Sequence, residues 1–328
     1  MNKAKLKIII GGSASTGSSL LAHLLNQHSQ VYCGPETNLL THPDWLLDWG
    51  NAQNIIMQSN LNTLMSSGWH VHKGIQIDHL IKGRPFASYV EQSKDYQSFI
   101  HNIYSNVLID QKINVIAEKT PSNAICLHLL QRHFPKTQRI LTVRNPYDAI
   151  ASMYKRGWSI PYACGLYLFN ISIGFEERGN LKIVKYEDLI ENKKNILTDL
   201  LKTNDLPYEK NMELMHNEIV PLPSWVQYEP TNTDMFNTFD TISKQDQQSI
   251  IYFITHLKFR SNFTFYGKTP AFNNVEEIMF KFGYAKTLNS KIMQFVRQKN
   301  ITRFGYEKLK RKLKNYPLSG NKFPFKIH

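Results

Sequence analysis

The chain has 328 residues, 42% of them hydrophobic, enough to bury one sizeable α/β core with decorations. No apolar run approaches the roughly 18 residues of a membrane span, and three widely spaced cysteines, Cys33, Cys126 and Cys164, do not make a disulfide framework and fit a reducing, cytoplasmic setting. The net charge of +13 is concentrated at one end: residues 286–328 hold twelve Lys/Arg and one acid, Glu307, while the remaining 285 residues carry only +2.

Residues 5–11 lie within the opening stretch MNKAKLKIIIGG, residues 1–12. Its apolar part is too short for a signal peptide and reads as a buried first strand. A helix is predicted from Gly17 to about Gln27, with Leu20, Leu21, Leu24 and Leu25 on one face. Residues 31–33 form a short strand, and 38–112 read as mostly helical. The clearest helix there sets Tyr96, Phe99, Ile100, Ile103, Tyr104, Val107 and Leu108 at helical spacing. Strands follow at 113–117, 139–143 and 181–185. Ser122 is expected to cap a helix running to about His133, Pro146 to open another, and a further helix lies near 190–203. Residues 205–240, rich in Pro, Asn and Thr, read as loop; 245–256 and 275–282 read as helices. Strands alternating with helices predict a parallel sheet.

Between the first strand and first helix lies GGSASTGSSLL, residues 11–21, with three glycines and five hydroxyl side chains. The spacing Gly12-x-x-x-x-Gly17-Ser18-Ser19 matches a nucleotide P-loop, except that Ser18 stands where such loops carry lysine. That lysine neutralises the outer phosphates of a triphosphate, so a P-loop kinase is poorly supported. The anion-binding design remains: backbone N–H groups at a helix N-terminus, with donors from Thr16, Ser18 and Ser19. The plain alternative is an ordinary strand-to-helix turn.

Four further stretches carry a resemblance. ILTVRNPYDAIASMYKR (140–156), EKTPSN (118–123), VKYEDL (184–189) and VYCGPET (31–37) resemble, in order, segments of sulfotransferases that use 3′-phosphoadenosine 5′-phosphosulfate (PAPS). The last is closest to the tyrosylprotein and saccharide branch. The likeness spans about residues 5–285 and implies a three-layer P-loop-type α/β fold: a parallel sheet flanked by helices, with helical decorations. On this reading 1–285 is the sulfotransferase domain and 286–328 a basic tail.

The resemblance implies a role for each matching position. The loop, Ser15, Thr16, Gly17, Ser18 and Ser19, takes the 5′ end of the donor. Arg144 and Ser152 take the 3′-phosphate, and the tyrosylprotein enzymes add a position matching Arg156. A guanidinium suits that task through its fork of donors, and Ser152 and Arg156, four apart on a helix, share a face. Glu36 matches the general base, and Lys119, ending a parallel strand, stabilises the transferring group. Tyr186 matches a nucleotide-site tyrosine. Competing structural roles are an ion pair of Arg144 with Asp148, pairing of Lys119 with Glu118, a capping or ion-paired Glu36, a solvated Arg156 and a packing Tyr186. Neither the donor nor the transfer calls for a metal.

One position departs from the family. Relatives commonly carry Arg or Lys just before the Ser/Thr-Gly of the loop, and here that residue is Ser15. Either Lys119 and the loop amides suffice, or another basic residue enters (Lys73 is one candidate), or activity is weak. The expected reaction is sulfuryl transfer to a hydroxyl acceptor, a saccharide or glycolipid first and protein tyrosine second. A nucleotide-binding protein without turnover is the further alternative. His70 and His72 lack a clear third ligand for a metal. The basic tail points to an anionic membrane surface or an acidic glycan, placing the chain in the cytoplasm or peripherally at a membrane. Without a reader motif, its charge does not argue for nucleic acid.

Overall fold

A computed structural model describes residues 5–34, 36–58, 86–105, 113–177, 179–213, 237–284 and 324–327. His70, His72, Lys73, Val107 and Leu108, most of the predicted 205–240 loop and nearly all of the basic segment lie outside the described residues. The chain divides into two compact units. One comprises Met1–Gly12, Gly17–Thr142 and Glu176–Pro230; the other comprises Ser13–Thr16, Val143–Phe175 and Thr231–His328.

The first unit is built on a five-stranded parallel sheet flanked by helices. Its strands are β1 (Lys5–Gly12), β2 (Val31–Cys33), β3 (Val115–Lys119), β4 (Gln138–Val143) and β5 (Leu181–Lys185), in the order β2-β3-β1-β4-β5. β1 runs parallel to both β3 and β4, and β2 parallel to β3. Ile8, Ile9 and Ile10 in the centre of β1 are fully buried, as a central parallel strand covered on both faces requires. The helix Ser18–Asn26 packs against β1, β2 and β3 through its leucines.

Register sets the functional edge. Ile10 pairs with Lys119 on one side and Ile140 on the other. β3 ends at that level, and β1 and β4 run on to Gly12 and Val143, so all three strands end on the edge where α/β sheets bind ligands. β3 starts two residues later than its apolar run suggests, because the backbone N–H groups of Asn114 and Val115 both turn to the Gln30 carbonyl. That shift makes Lys119 the last residue of the strand. Ser122 does not cap a helix. Pro121 instead opens a 3₁₀ turn, Pro121–Cys126, and the helix Leu127–His133 follows it. Gly11 permits this arrangement: a Cβ there would lie 2.4 Å from the backbone nitrogen of Ala124.

The second unit is largely helical. Pro146–Lys155 is opened by Pro146 and capped by Asn145, whose side chain accepts from the Tyr147 N–H. Ile160–Gly174, a 15-residue helix absent from the sequence reading, is buried along its whole length. It packs against Pro146–Lys155, Lys244–His256 and Val275–Phe282. An antiparallel pair, β6 (Leu257–Phe259) and β7 (Phe325–Ile327), ties the end of the basic segment to this unit, with Phe325 fully buried. Among the described residues no helix is long and apolar enough to cross a membrane.

Candidate active site

In the first unit, the site grows from the N-terminus of the helix Ser18–Asn26. Gly17 precedes it at φ 89°, a left-handed conformation that favours glycine. The Tyr186 ring closes over it: a Cβ on Gly17 would come within 2.5 Å of Tyr186 Cδ2. This explains why the loop needs glycine at that position. It also gives the buried Tyr186, first residue of the helix Tyr186–Glu191, a packing role against the loop.

Lys119 reaches this helix terminus from the end of β3. Its Nζ donates to Ser19 Oγ at 3.1 Å and to Glu36 Oε1 at 2.7 Å. The ion pair is largely withdrawn from solvent, with side chains 7% and 13% exposed. The ion pair of Lys119 is thus with Glu36, brought in by the segment after β2, and the two residues expected to share the chemistry meet directly. Ser18 is buried beside Ser19 in the first helical turn.

Behind the pair lies a second carboxylate that the sequence reading used only as a competing partner. Glu118 is 1% exposed. Burial raises its pKa, while hydrogen bonds from Thr120, Asn123 and Thr37 lower it. Its Oε1 accepts from Thr37 Oγ1 at 2.9 Å and from Thr120 Oγ1 at 2.7 Å, and its Oε2 accepts from Asn123 Nδ2. Thr120 Oγ1 in turn accepts from the Asn38 N–H at 3.2 Å. Glu118 therefore bonds the residue after Glu36 to the strand end that carries Lys119, and holds the catalytic candidates in register.

The second unit holds the remaining candidates, gathered around one residue. Ser15, at φ 64°, is a non-glycine residue in the left-handed region. Its Oγ donates to Ser152 Oγ at 3.0 Å and accepts from Arg156 Nη2. Its carbonyl accepts from Arg144 Nη1 at 3.3 Å. Arg144 follows β4, is buried, and also donates through Nη2 to Thr238 Oγ1 at 3.2 Å. Its own carbonyl accepts from Tyr167 on the buried helix at 2.6 Å. Asp148 accepts from the Phe239 N–H at 2.9 Å. Thr16 spends its hydroxyl inside the loop, donating to the Ser13 carbonyl at 2.7 Å. Arg156, exposed at the end of Pro146–Lys155, has its guanidinium 5.7 Å from the centre of the Trp158 ring.

The structure thus places the eleven candidates in two groups. Gly17, Ser18, Ser19, Glu36, Lys119 and Tyr186 belong to the first unit; Ser15, Thr16, Arg144, Ser152 and Arg156 belong to the second. The supporting residues Thr37, Thr120, Asn123, Tyr167 and Thr238 were not singled out from sequence. Isolated hydroxyls and amides carry no spacing signature. Among the described residues no three His, Cys, Asp or Glu side chains gather as metal ligands.

Known proteins resemble the chain in sequence and in fold. A family model described as "Sulfotransferase family" matches residues 7–210, well over half of the chain. The chain is 28% identical over 151 residues to nodulation protein NoeE of Sinorhizobium fredii; the match covers 46% of this chain and 31% of that protein. The chain thus spans about a third of the length of that curated relative. Two solved structures share the fold. The sulfotransferase domain of the Synechococcus PCC 7002 olefin synthase has a TM-score of 0.56 at 18% identity, covering 88% of this chain and 98% of that domain. The sulfotransferase domain from the curacin biosynthetic pathway has a TM-score of 0.50 at 17% identity, covering 75% and 96%. The family match over residues 7–210, together with this shared fold, identifies the chain as a member of the sulfotransferase family.

Proposed function

We propose that the protein transfers a sulfuryl group from PAPS to a hydroxyl of a saccharide or glycolipid. The observation that carries this reading is the contact of Lys119 with both Glu36 and Ser19 at the N-terminus of the helix Ser18–Asn26. A cation, a carboxylate and a helix terminus meet there, without the lysine that a triphosphate-binding loop needs. We assign the 5′-phosphosulfate to this terminus and the 3′-phosphate to Arg144 and Ser152.

Each residue then has one task. Glu36 takes the proton of the acceptor hydroxyl as its oxygen attacks sulfur. The new S–O bond forms while the bond from sulfur to the bridging phosphate oxygen breaks. The electron pair stays on that oxygen, leaving 3′-phosphoadenosine 5′-phosphate. Lys119, already placed by Ser19 and Glu36, stabilises the charge that develops on the sulfuryl and leaving oxygens, the kind of preorganised electrostatic help that contributes most in a water-poor site.

A protein-tyrosine acceptor is the second reading, favoured by the VYCGPET segment that delivers Glu36. Labelled PAPS offered together with glycolipid, oligosaccharide and tyrosine-peptide acceptors separates the two. We expect label on a saccharide hydroxyl, in step with nucleotide release and in the presence of a magnesium chelator. Label on tyrosine alone would overturn the saccharide assignment. Donor binding with no transfer to any acceptor would favour a nucleotide-binding protein without turnover.

A further inference from the structure

We propose that Arg156 supplies the phosphosulfate loop with the positive charge that Ser15 does not carry. The inference rests on the donor reading above and goes beyond it by moving Arg156 from the 3′-phosphate to the 5′ side.

Ser15 is the meeting point of its unit. It bonds to Ser152 and Arg156 through its hydroxyl and to Arg144 through its carbonyl. A serine hydroxyl has one hydrogen to donate and lone pairs to accept with. Ser15 uses the hydrogen on Ser152 and a lone pair on Arg156, so the hydroxyl works as a clip that fixes the guanidinium at the loop. Ser152, one helical turn before Arg156, completes the clip from the same helix.

The size of residue 15 matters for the same reason. A long cationic side chain there would start from the place where two guanidinium groups already converge, adding like charge at short range. A small hydroxyl residue lets the charge arrive from the helix end instead. Charge from the loop and charge from Arg156 are therefore alternatives. Arg144 serves in either arrangement, because its bond is to the Ser15 backbone, which any residue provides.

The proposal predicts an exchange. Arg156→Gln should lower turnover by roughly 10- to 100-fold, the range expected for one charge-assisted bond. It should weaken adenosine 5′-phosphosulfate, which lacks the 3′-phosphate, by the same factor as PAPS. Ser15→Arg alone should also lose turnover, through repulsion. The double variant Ser15→Arg/Arg156→Gln should regain turnover above either single variant. Thermal melts confirm folding; Arg156 is exposed at a helix end, so its replacement should leave the melting temperature unchanged.

A loss in Arg156→Gln confined to 3′-phosphorylated ligands would return Arg156 to the 3′-phosphate and overturn the proposal. A double variant as poor as the product of the two singles would also overturn it. In both cases wild-type preference for 3′-phosphorylated nucleotide would leave the donor reading standing. A wild-type protein without that preference would remove the donor reading and this proposal with it.

Discussion

Glu36→Gln should lower sulfuryl-transfer turnover by about 10²–10⁴-fold, the usual reach of general-base catalysis, while donor affinity stays nearly unchanged. The amide oxygen of glutamine can still accept the 2.7 Å bond that Glu36 Oε1 takes from Lys119, so the lysine keeps its place. The amide cannot take up the acceptor proton. The substitution therefore separates base chemistry from architecture. Steady-state rates at saturating donor, with donor affinity measured independently, give the answer. A near-normal rate would move the base elsewhere and reduce Glu36 to a holder of Lys119.

Lys119→Met should produce a loss of about 10²–10³-fold in turnover, the magnitude associated with removing one preorganised stabilising donor. It should also weaken PAPS binding, because the charge faces the donor in the ground state too. A second effect separates it from Glu36→Gln. Loss of the ammonium strands a carboxylate that is only 13% exposed, and breaking one side of a buried pair is destabilising. The melting temperature should fall. Adding Glu36→Gln to Lys119→Met should restore most of the stability but none of the turnover. A stable, fully active Lys119→Met would exclude the lysine from the chemistry.

The sheet was legible in the sequence because its strands are short apolar runs bounded by Gly, Pro or charge. β5 and the helix Val275–Phe282 lie where their patterns place them, and β1 overruns its predicted end by one residue. The helix Ile160–Gly174 was not legible for the opposite reason: burial on every side leaves no polar face, and so no helical period to detect. β7 escaped because three residues with a lysine at their centre look like any part of a charged tail. The limits at the site are of the same kind. Glycine and charge patterns pointed to Gly17, Lys119 and Arg144, each fixed to a strand end or helix start. No pattern could show that Arg156 meets Ser15, since that contact joins residues 141 positions apart through side chains alone. Glu118 needed the structure as well, because the sequence does not show which of two adjacent residues at a strand end faces the core.

The proposal for Arg156 gives the departure at Ser15 a physical answer. The open choice left by the sequence was between a sufficient loop, a basic residue from elsewhere and a weakened enzyme. Two basic side chains reach that serine, Arg144 at its carbonyl and Arg156 at its hydroxyl, and Arg156 is the one proposed to supply the charge. The earlier candidate, Lys73, lies outside the described residues.

The central claim is that the protein reads a nucleotide bearing separate 5′ and 3′ anions, and calorimetry tests it most directly without knowledge of the acceptor. 3′-Phosphoadenosine 5′-phosphate should bind without magnesium, and at least tenfold more tightly than adenosine 5′-phosphate, the minimum expected from a charge-assisted bond to the extra phosphate. Arg144→Ala should erase most of that preference, since its buried guanidinium is held by Ser15 and Thr238, while Tyr167 holds its backbone carbonyl, and solvent cannot replace the lost charge. Equal affinity of the wild-type protein for the two nucleotides, or tighter binding of magnesium ATP than of either, would contradict the account.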